Sequence, residues 1–182
     1  MRVLLLLAGG IDALNERIGR ASLWLVLVAV LISAGNALVR YGLNMSSNAW
    51  LEIQWYLFAL IFMLGAGYTL KHNEHVRIDI LYGRFSPRAR ALIDLAGGLL
   101  FLLPMAGLIG WLGWSGVVES YARGEMSPDA GGLLRWPVRL VIPVGFALLF
   151  LQGLAEVIKR LAMLTGHLPL ERENAEVARE PV

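Results

Sequence analysis

The sequence contains no cysteine and few charged residues, and each shortage excludes a class of protein. Without cysteine the chain has no disulfide, thiolate metal site, iron–sulfur cluster or cysteine nucleophile. Only 16% of its 182 residues are charged, whereas 57% are hydrophobic and the mean hydropathy is +0.62. This composition excludes a disordered chain and argues against an ordinary soluble domain.

Four long stretches of the sequence contain no Asp, Glu, Lys or Arg: residues 21–39, 53–70, 95–118 and 140–155. A helix needs about 20 apolar residues to cross about 30 Å of hydrocarbon. The fourth stretch reaches this length if residues 137–139 join it, with the Arg139 side chain extending to the headgroups. We therefore predict an all-α integral membrane protein whose four transmembrane helices form one domain, residues 21–165.

The 16 Lys and Arg residues are distributed unevenly around these stretches. Twelve lie before the first stretch, between the second and third, or after the fourth, and four lie on the opposite side. The positive-inside bias therefore predicts that both termini are cytoplasmic. This topology accounts for the net charge of +2 better than a nucleic-acid partner would, and we predict no such partner.

The two terminal segments are more polar than the four stretches between them. In residues 1–20, apolar and polar residues occupy opposite sides of a helix, which predicts an amphipathic helix on the inner membrane face and not a cleaved leader. The apolar positions are Leu7, Ile11, Leu14 and Ile18, and the polar positions are Asp12, Asn15, Glu16 and Arg17. Residues 166–182 predict a flexible, acidic C-terminal tail.

Glu52 begins the second stretch among interfacial aromatic residues and is followed by Gln54 and Trp55. A charge at mid-membrane costs roughly 2.5–3.5 kcal/mol, but in the first turn of a helix the helix dipole favours a carboxylate. Two interpretations stay open: a terminal acid that caps its own helix, or an interhelical contact.

The sequence offers weak signals for a metal site and for an enzyme. His72, His75 and Asp79 would face one ion on a helix, but no other ligand-rich segment completes a site, so a polar elbow at the membrane face is the better interpretation. Residues 113–116 match the GxSG pattern of intramembrane serine proteases, yet all three histidines lie on the opposite side from Ser115. We predict no metal, no cofactor, no catalytic residue and no enzyme activity.

Several short motifs occur in a characteristic order. They are Glu52, Gln54 and Trp55, then Gly65-Ala66, His75-Val76-Arg77-Ile78-Asp79, Arg135-Trp136-Pro137-Val138-Arg139, Ile142-Pro143-Val144-Gly145-Phe146 and Leu151-Gln152-Gly153. Together with the four-span frame, from about Ile11 to about Leu164, they resemble the small membrane subunit of tripartite ATP-independent periplasmic (TRAP) transporters. Within that family the resemblance is to the branch labelled mannitol/chloroaromatic.

The resemblance implies a multi-pass protein of the bacterial inner membrane with two protein partners. One partner is a large multi-span subunit that carries substrate and sodium ions, and the other is a periplasmic solute-binding protein. The small subunit would brace the large one, among membrane lipids, during ion-gradient-driven uptake of an organic acid or related solute. The alternative is a self-sufficient homo-oligomeric transporter or channel in which Glu52 binds a cation.

The resemblance also implies which residues matter. Glu52, Gln54 and Trp55 would hold the outer part of the second span, and His75, Arg77 and Asp79 would fix the inner elbow. Further interface or structural positions are Trp136, Pro137, Pro143 and Gln152. In the loop before the fourth span, the positions expected to contact the binding protein are Arg123, Glu125 and Asp129, although a solvated connector is the simpler interpretation of that loop.

Overall fold

A computed structural model describes residues 1–45, 47–73, 82 and 84–169 of the chain. Helix α1 spans Arg2–Leu43, α2 spans Asn48–Lys71, α3 spans Pro87–Ala122 and α4 spans Trp136–Leu164. All four are long and apolar enough to cross a membrane, which confirms the predicted all-α membrane protein. The predicted tail from residue 170 onward lies outside the described residues.

Helix α1 continues without a break through Arg20 and Ala21. At about 1.5 Å per residue, its 42 residues extend about 63 Å, roughly twice the thickness of the hydrocarbon layer. Residues 1–20 are therefore the first half of α1 and not a separate helix, and their interfacial placement stays a prediction.

Helix α4 is the centre of the fold. It packs against each of the other three helices, and α1 packs against α2 beside it. As a result, 44% of an apolar 18-residue segment of α4 is buried inside the protein, against 6% of such a segment of α3. Helix α3 lies on the far side of α4 from the α1–α2 pair. Most of the apolar surface of α1, α2 and α3 is therefore available to lipid or to a partner.

Glycines allow the helices to approach closely at two crossings. A Cβ placed on Gly145 of α4 would lie 2.9 Å from the backbone oxygen of Met63 in α2. A Cβ on Gly19 of α1 would overlap the Tyr68 side chain of α2. Small residues at helix crossings increase van der Waals packing, which is the main attraction between helices in lipid.

Helix α3 begins at a capped N-terminus and changes pitch part-way along. Ser86 caps its N-terminus, because its hydroxyl accepts a 3.3 Å hydrogen bond from the Ala89 amide. The α-helical segment Pro87–Gly97 leads into a π-helical turn, Gly98–Leu102, before the α-helix resumes at Leu103–Ala122. Pro104, which has no amide hydrogen to donate, lies two residues after this turn.

Candidate functional site

The loop between α3 and α4, residues 123–135, is folded back on itself. The Ser127 amide donates to the Leu133 carbonyl at 2.9 Å, and the Arg135 amide donates to the Glu125 carbonyl at the same distance. Gly131 makes the reversal possible with a φ of +73°, a conformation that glycine adopts without steric cost. We call residues 123–135 the α3–α4 loop.

One face of α2 holds the α3–α4 loop through the loop's backbone. Asn48, Glu52 and Tyr56 are four residues apart and therefore share a helix face. The Asn48 side-chain amide donates to the Ala130 carbonyl at 3.0 Å, and the Tyr56 hydroxyl donates to the Leu134 carbonyl at 2.8 Å.

Between these two contacts, the Glu52 carboxylate accepts a 2.7 Å hydrogen bond from the Leu133 amide, and the Ser127 hydroxyl lies beside it. Glu52 therefore makes a contact between α2 and the loop before α4, and not merely a cap on its own helix. The four-residue spacing of Asn48, Glu52 and Tyr56 is visible in the sequence. Their partners are backbone groups of the loop, which every residue type carries, so the sequence does not indicate these contacts.

Arg139 ties the same loop to the first turn of α4. Its guanidinium forms a 2.7 Å ion pair with Glu125 and donates a 3.4 Å hydrogen bond to the Gly116 carbonyl of α3. The sequence predicts that this side chain extends to lipid headgroups, but here it bridges α3, α4 and the loop between them. The ion pair is partly exposed, so its main effect is to fix the geometry of the loop.

The three residues expected to contact the binding protein have different surroundings. Glu125 is engaged by Arg139, and Arg123 forms an exposed ion pair with Glu119 one turn earlier. Asp129 is exposed at the tip of the α3–α4 loop. Their contact with a binding protein stays a prediction.

We expect Glu52→Ala to loosen the α3–α4 loop. A hydrogen bond to a charged group contributes about 1.5–3 kcal/mol, so the Leu133 amide should exchange its hydrogen at least about tenfold faster. Hydrogen–deuterium exchange mass spectrometry of the purified chain measures this directly. Glu119→Ala, which removes only an exposed ion pair, should leave the exchange unchanged. Unchanged exchange in Glu52→Ala would show that Glu52 does not hold the loop.

A second polar cluster lies where α1 begins and α4 ends, and we call it the terminal-end cluster. At its centre, Asn15 of α1 and Gln152 of α4 have no exposed surface. The Asn15 amide donates to the Gln152 side-chain oxygen at 2.9 Å, and the Gln152 amide donates to Asp12 at 2.7 Å and to Glu156 at 3.2 Å. Lys159 forms ion pairs with both Asp12 and Glu156, so the two carboxylates share a cation.

Glu16 extends the terminal-end cluster to α2. Its carboxylate accepts a 2.7 Å hydrogen bond from Lys71, lies 2.8 Å from the His72 ring nitrogen and pairs with Arg20 at 2.7 Å. Lys71 and His72 hold the end of α2 against α1, whereas Arg20 belongs to α1 itself. His72, the first histidine of the sequence-predicted elbow, therefore makes a contact within this subunit.

The polar face of residues 1–20 points into the protein. The sequence pattern suggests that this face meets water, but Asp12, Asn15 and Glu16 lie against α2 and α4, whereas Leu7 and Leu14 are exposed. The physical reason is that α2 and α4 present complementary polar groups at the same level. A single-helix pattern shows that one face is polar but not what that face contacts.

The other predicted positions have varied surroundings. Gln54 accepts a 3.2 Å hydrogen bond from Ser33 of α1, whereas Trp55 is 72% exposed. In α4, Trp136 makes an edge-to-face contact with Tyr121. Pro137 occupies the first turn of α4, and Pro143 is buried inside it. His75, Arg77 and Asp79 lie outside the described residues.

The sequence signals for a metal site and for a protease fall partly among the described residues. Among them, no group of three or more His, Asp or Glu side chains is placed to hold a metal ion. The Ser115 hydroxyl donates a 2.7 Å hydrogen bond to the Leu112 carbonyl of its own helix. This part of the chain contains two polar clusters, one at each end of the helices, and both connect elements of the subunit to each other.

Comparisons with known proteins show which family the chain is similar to. The family described as "Tripartite ATP-independent periplasmic transporters, DctQ component" matches residues 29–163. The chain is 37% identical over 102 residues to the C4-dicarboxylate TRAP transporter small permease protein DctQ of Rhodobacter capsulatus, which covers 53% of this chain and 43% of that protein. It is 28% identical over 144 residues to the DctQ protein of Pseudomonas aeruginosa, covering 78% and 66%.

A third relative is more distant but matches over a longer range. The ectoine TRAP transporter small permease protein TeaB of Halomonas elongata is 26% identical over 157 residues, covering 84% of this chain and 79% of that protein. The chain thus spans less than two thirds of the length of the two DctQ relatives. No solved structure matches it significantly. Because the family match covers most of the chain, the chain belongs to the DctQ component family, the small permease subunits of TRAP transporters.

Proposed function

We propose that this subunit braces a large multi-span transport subunit and does not itself carry substrate or ions. The observation behind the proposal is that the two polar clusters connect helices of the same subunit. Glu52 holds the α3–α4 loop, and Glu16 and Asp12 hold α2 and α4 against α1. Residues 21–39, 53–70, 95–118 and 140–155 carry no ionisable Asp, Glu, Lys or Arg for a coupling ion to use.

The surface that remains available suggests where the large subunit docks. Along α2, the side chains of Trp55, Phe58 and Phe62 are 72%, 58% and 77% exposed. Their spacing of three, four and seven residues places them on one face of the helix. Large aromatic side chains on one face are typical anchors of protein interfaces. We propose that this aromatic stripe, and not Glu52 or Gln54, contacts the large subunit.

The remaining elements of the proposal concern transport as a whole. A periplasmic binding protein would deliver the solute, a sodium gradient would drive its uptake, and the α3–α4 loop would face the binding protein. The names of the relatives, C4-dicarboxylate and ectoine transporters, support an organic acid or related small organic solute. The mannitol/chloroaromatic branch stays a prediction from the sequence motifs.

Coexpression with the large subunit tests the bracing role. We expect Trp55→Ala to reduce the amount of large subunit that copurifies with the tagged chain by at least about tenfold, the loss typical of an interface anchor. Trp24→Ala is the matched control, since Trp24 of α1 is 70% exposed and lies off the stripe. Equal recovery of the large subunit with the two variants would show that the interface lies elsewhere on this chain.

Reconstitution in liposomes distinguishes a bracing subunit from a self-sufficient transporter. Liposomes that contain this chain alone should show no solute uptake above the protein-free background. Adding the large subunit, the binding protein and an inward sodium gradient should produce uptake. Uptake by the chain alone, lost in Glu52→Gln, would instead support a homo-oligomer in which Glu52 binds a cation.

The proposed orientation is testable because the chain has no native cysteine. A single cysteine at Asp129→Cys, on the α3–α4 loop, should react with a membrane-impermeant maleimide in intact spheroplasts. A cysteine at His167→Cys, beyond the end of α4, should react only after permeabilisation. The reverse labelling pattern would place the termini outside the cytoplasm.

A further inference from the structure

A cavity of about 400 Å³ opens between the final third of α1 and the first turn of α2. Its lining changes in character along α1. Leu31 and Ile32 form the end toward the middle of the charge-free stretch, Asn36 follows one turn later, and Ser47 and Trp50 close the end near the α1–α2 connection. Val39 and Met45 also line the end near the connection, so the cavity is apolar at one end and mixes polar with apolar side chains at the other.

Asn36 is the one polar side chain that α1 contributes to the lining of this cavity, and Ser47 is the other polar residue there. Within the part of the chain that the structure describes, its side-chain amide forms no hydrogen bond. An unpaired amide next to hydrocarbon costs free energy, so an occupant that offers a hydrogen-bond acceptor would be stabilised there.

Arg40 lies one turn beyond Asn36 and on the same face of α1. Its side chain is exposed and forms no ion pair with any described residue. Arg40 is also the sole Lys or Arg between the first two charge-free stretches, on the side that holds few positive charges. A guanidinium at this level has the geometry to bind a phosphate with two parallel hydrogen bonds.

We infer that the cavity binds one phospholipid. The phosphate would pair with Arg40, an ester carbonyl would accept from the Asn36 amide, and an acyl chain would pack against Leu31 and Ile32. This order of phosphate, ester and hydrocarbon matches the order of the three protein groups along one helix face. A transmembrane helix of a partner would supply apolar side chains along the whole cavity and would leave both polar groups unmatched.

Gly35 provides a way to close the cavity without disturbing the fold. It lines the cavity, and a Cβ placed on it would meet no atom within 4 Å. Gly35→Leu should therefore fill the space that the acyl chain needs. Gly10→Leu is the matched control, because Gly10 is on the same helix, is equally open and lies outside the cavity.

Native mass spectrometry of the full chain, titrated with phosphatidylglycerol in mild detergent, measures the binding. The wild type and Gly10→Leu should retain one lipid, and Gly35→Leu should bind it at least about fivefold more weakly. Arg40→Gln should weaken phosphatidylglycerol binding about fivefold, as expected for about 1 kcal/mol per basic residue at a membrane surface. Arg17→Gln, an exposed arginine at the other end of α1, is the charge control.

Two results would overturn the inference. One is equal lipid binding by Gly35→Leu and Gly10→Leu. The other is unchanged lipid binding by Gly35→Leu together with loss of the copurifying large subunit, which would assign the cavity to a partner helix. The first result leaves the bracing role through Trp55 untouched, whereas the second would extend the interface with the large subunit to this cavity.

Discussion

Gln152→Leu is expected to destabilise the subunit more than any other exchange of similar size. Individual hydrogen bonds between membrane helices contribute only about 0.6 kcal/mol on average. Gln152, however, contacts Asn15, Asp12 and Glu156 at once and has no exposed surface. Leucine would remove the partner of the buried Asn15 amide and one hydrogen bond from each of Asp12 and Glu156, which would keep Lys159, and we expect the free energy of unfolding to fall by about 3 kcal/mol.

An SDS titration of the purified chain, monitored by tryptophan fluorescence, measures this loss as a shift in the unfolding midpoint. Gln54→Leu is the matched control, since it makes the same exchange where the side chain has one 3.2 Å hydrogen bond to Ser33. We expect it to change the free energy of unfolding by no more than about 0.6 kcal/mol. Equal shifts in the two variants would mean that the terminal-end cluster does not stabilise the fold.

Gly145→Ala is expected to separate α4 from α2. The added methyl carbon would lie 2.7 Å from Met63 Cβ and 2.9 Å from the Met63 backbone oxygen. The backbone cannot rotate away as a side chain end can, so the two helix axes must move apart. Overpacking of this kind costs about 1–3 kcal/mol, and Gly145→Val should cost more than Gly145→Ala.

Gly65→Ala is the control for this crossing. Gly65 lies two residues after Met63, and a Cβ on it would meet no atom within 4 Å. Alanine is the better helix former, so this variant should be neutral or more stable. The same SDS titration compares the three variants. If Gly145→Ala and Gly65→Ala unfold at the same midpoint, close α2–α4 contact does not stabilise the subunit.

The extent to which the sequence predicts the polar sites differs between the two clusters. Glu52 stands out because it is a carboxylate at the edge of a charge-free stretch, and the structure gives it a partner in the α3–α4 loop. Asn15 and Asp12 do not stand out, since they occur in a segment that also contains Glu16 and Arg17 and reads as an ordinary amphipathic helix. Their partners are Gln152 and Lys159, more than 130 residues later in the chain.

The membrane helices, their number and the chemical nature of their ends are determined by the sequence alone. The free energy of transferring apolar residues to hydrocarbon adds up residue by residue along each stretch, so these helices can be predicted without tertiary information. Only the tertiary structure decided which face of α1 is buried, which helix is central and what Glu52 holds. These depend on complementary groups brought together from distant segments, and hydropathy, which treats each segment alone, does not record them.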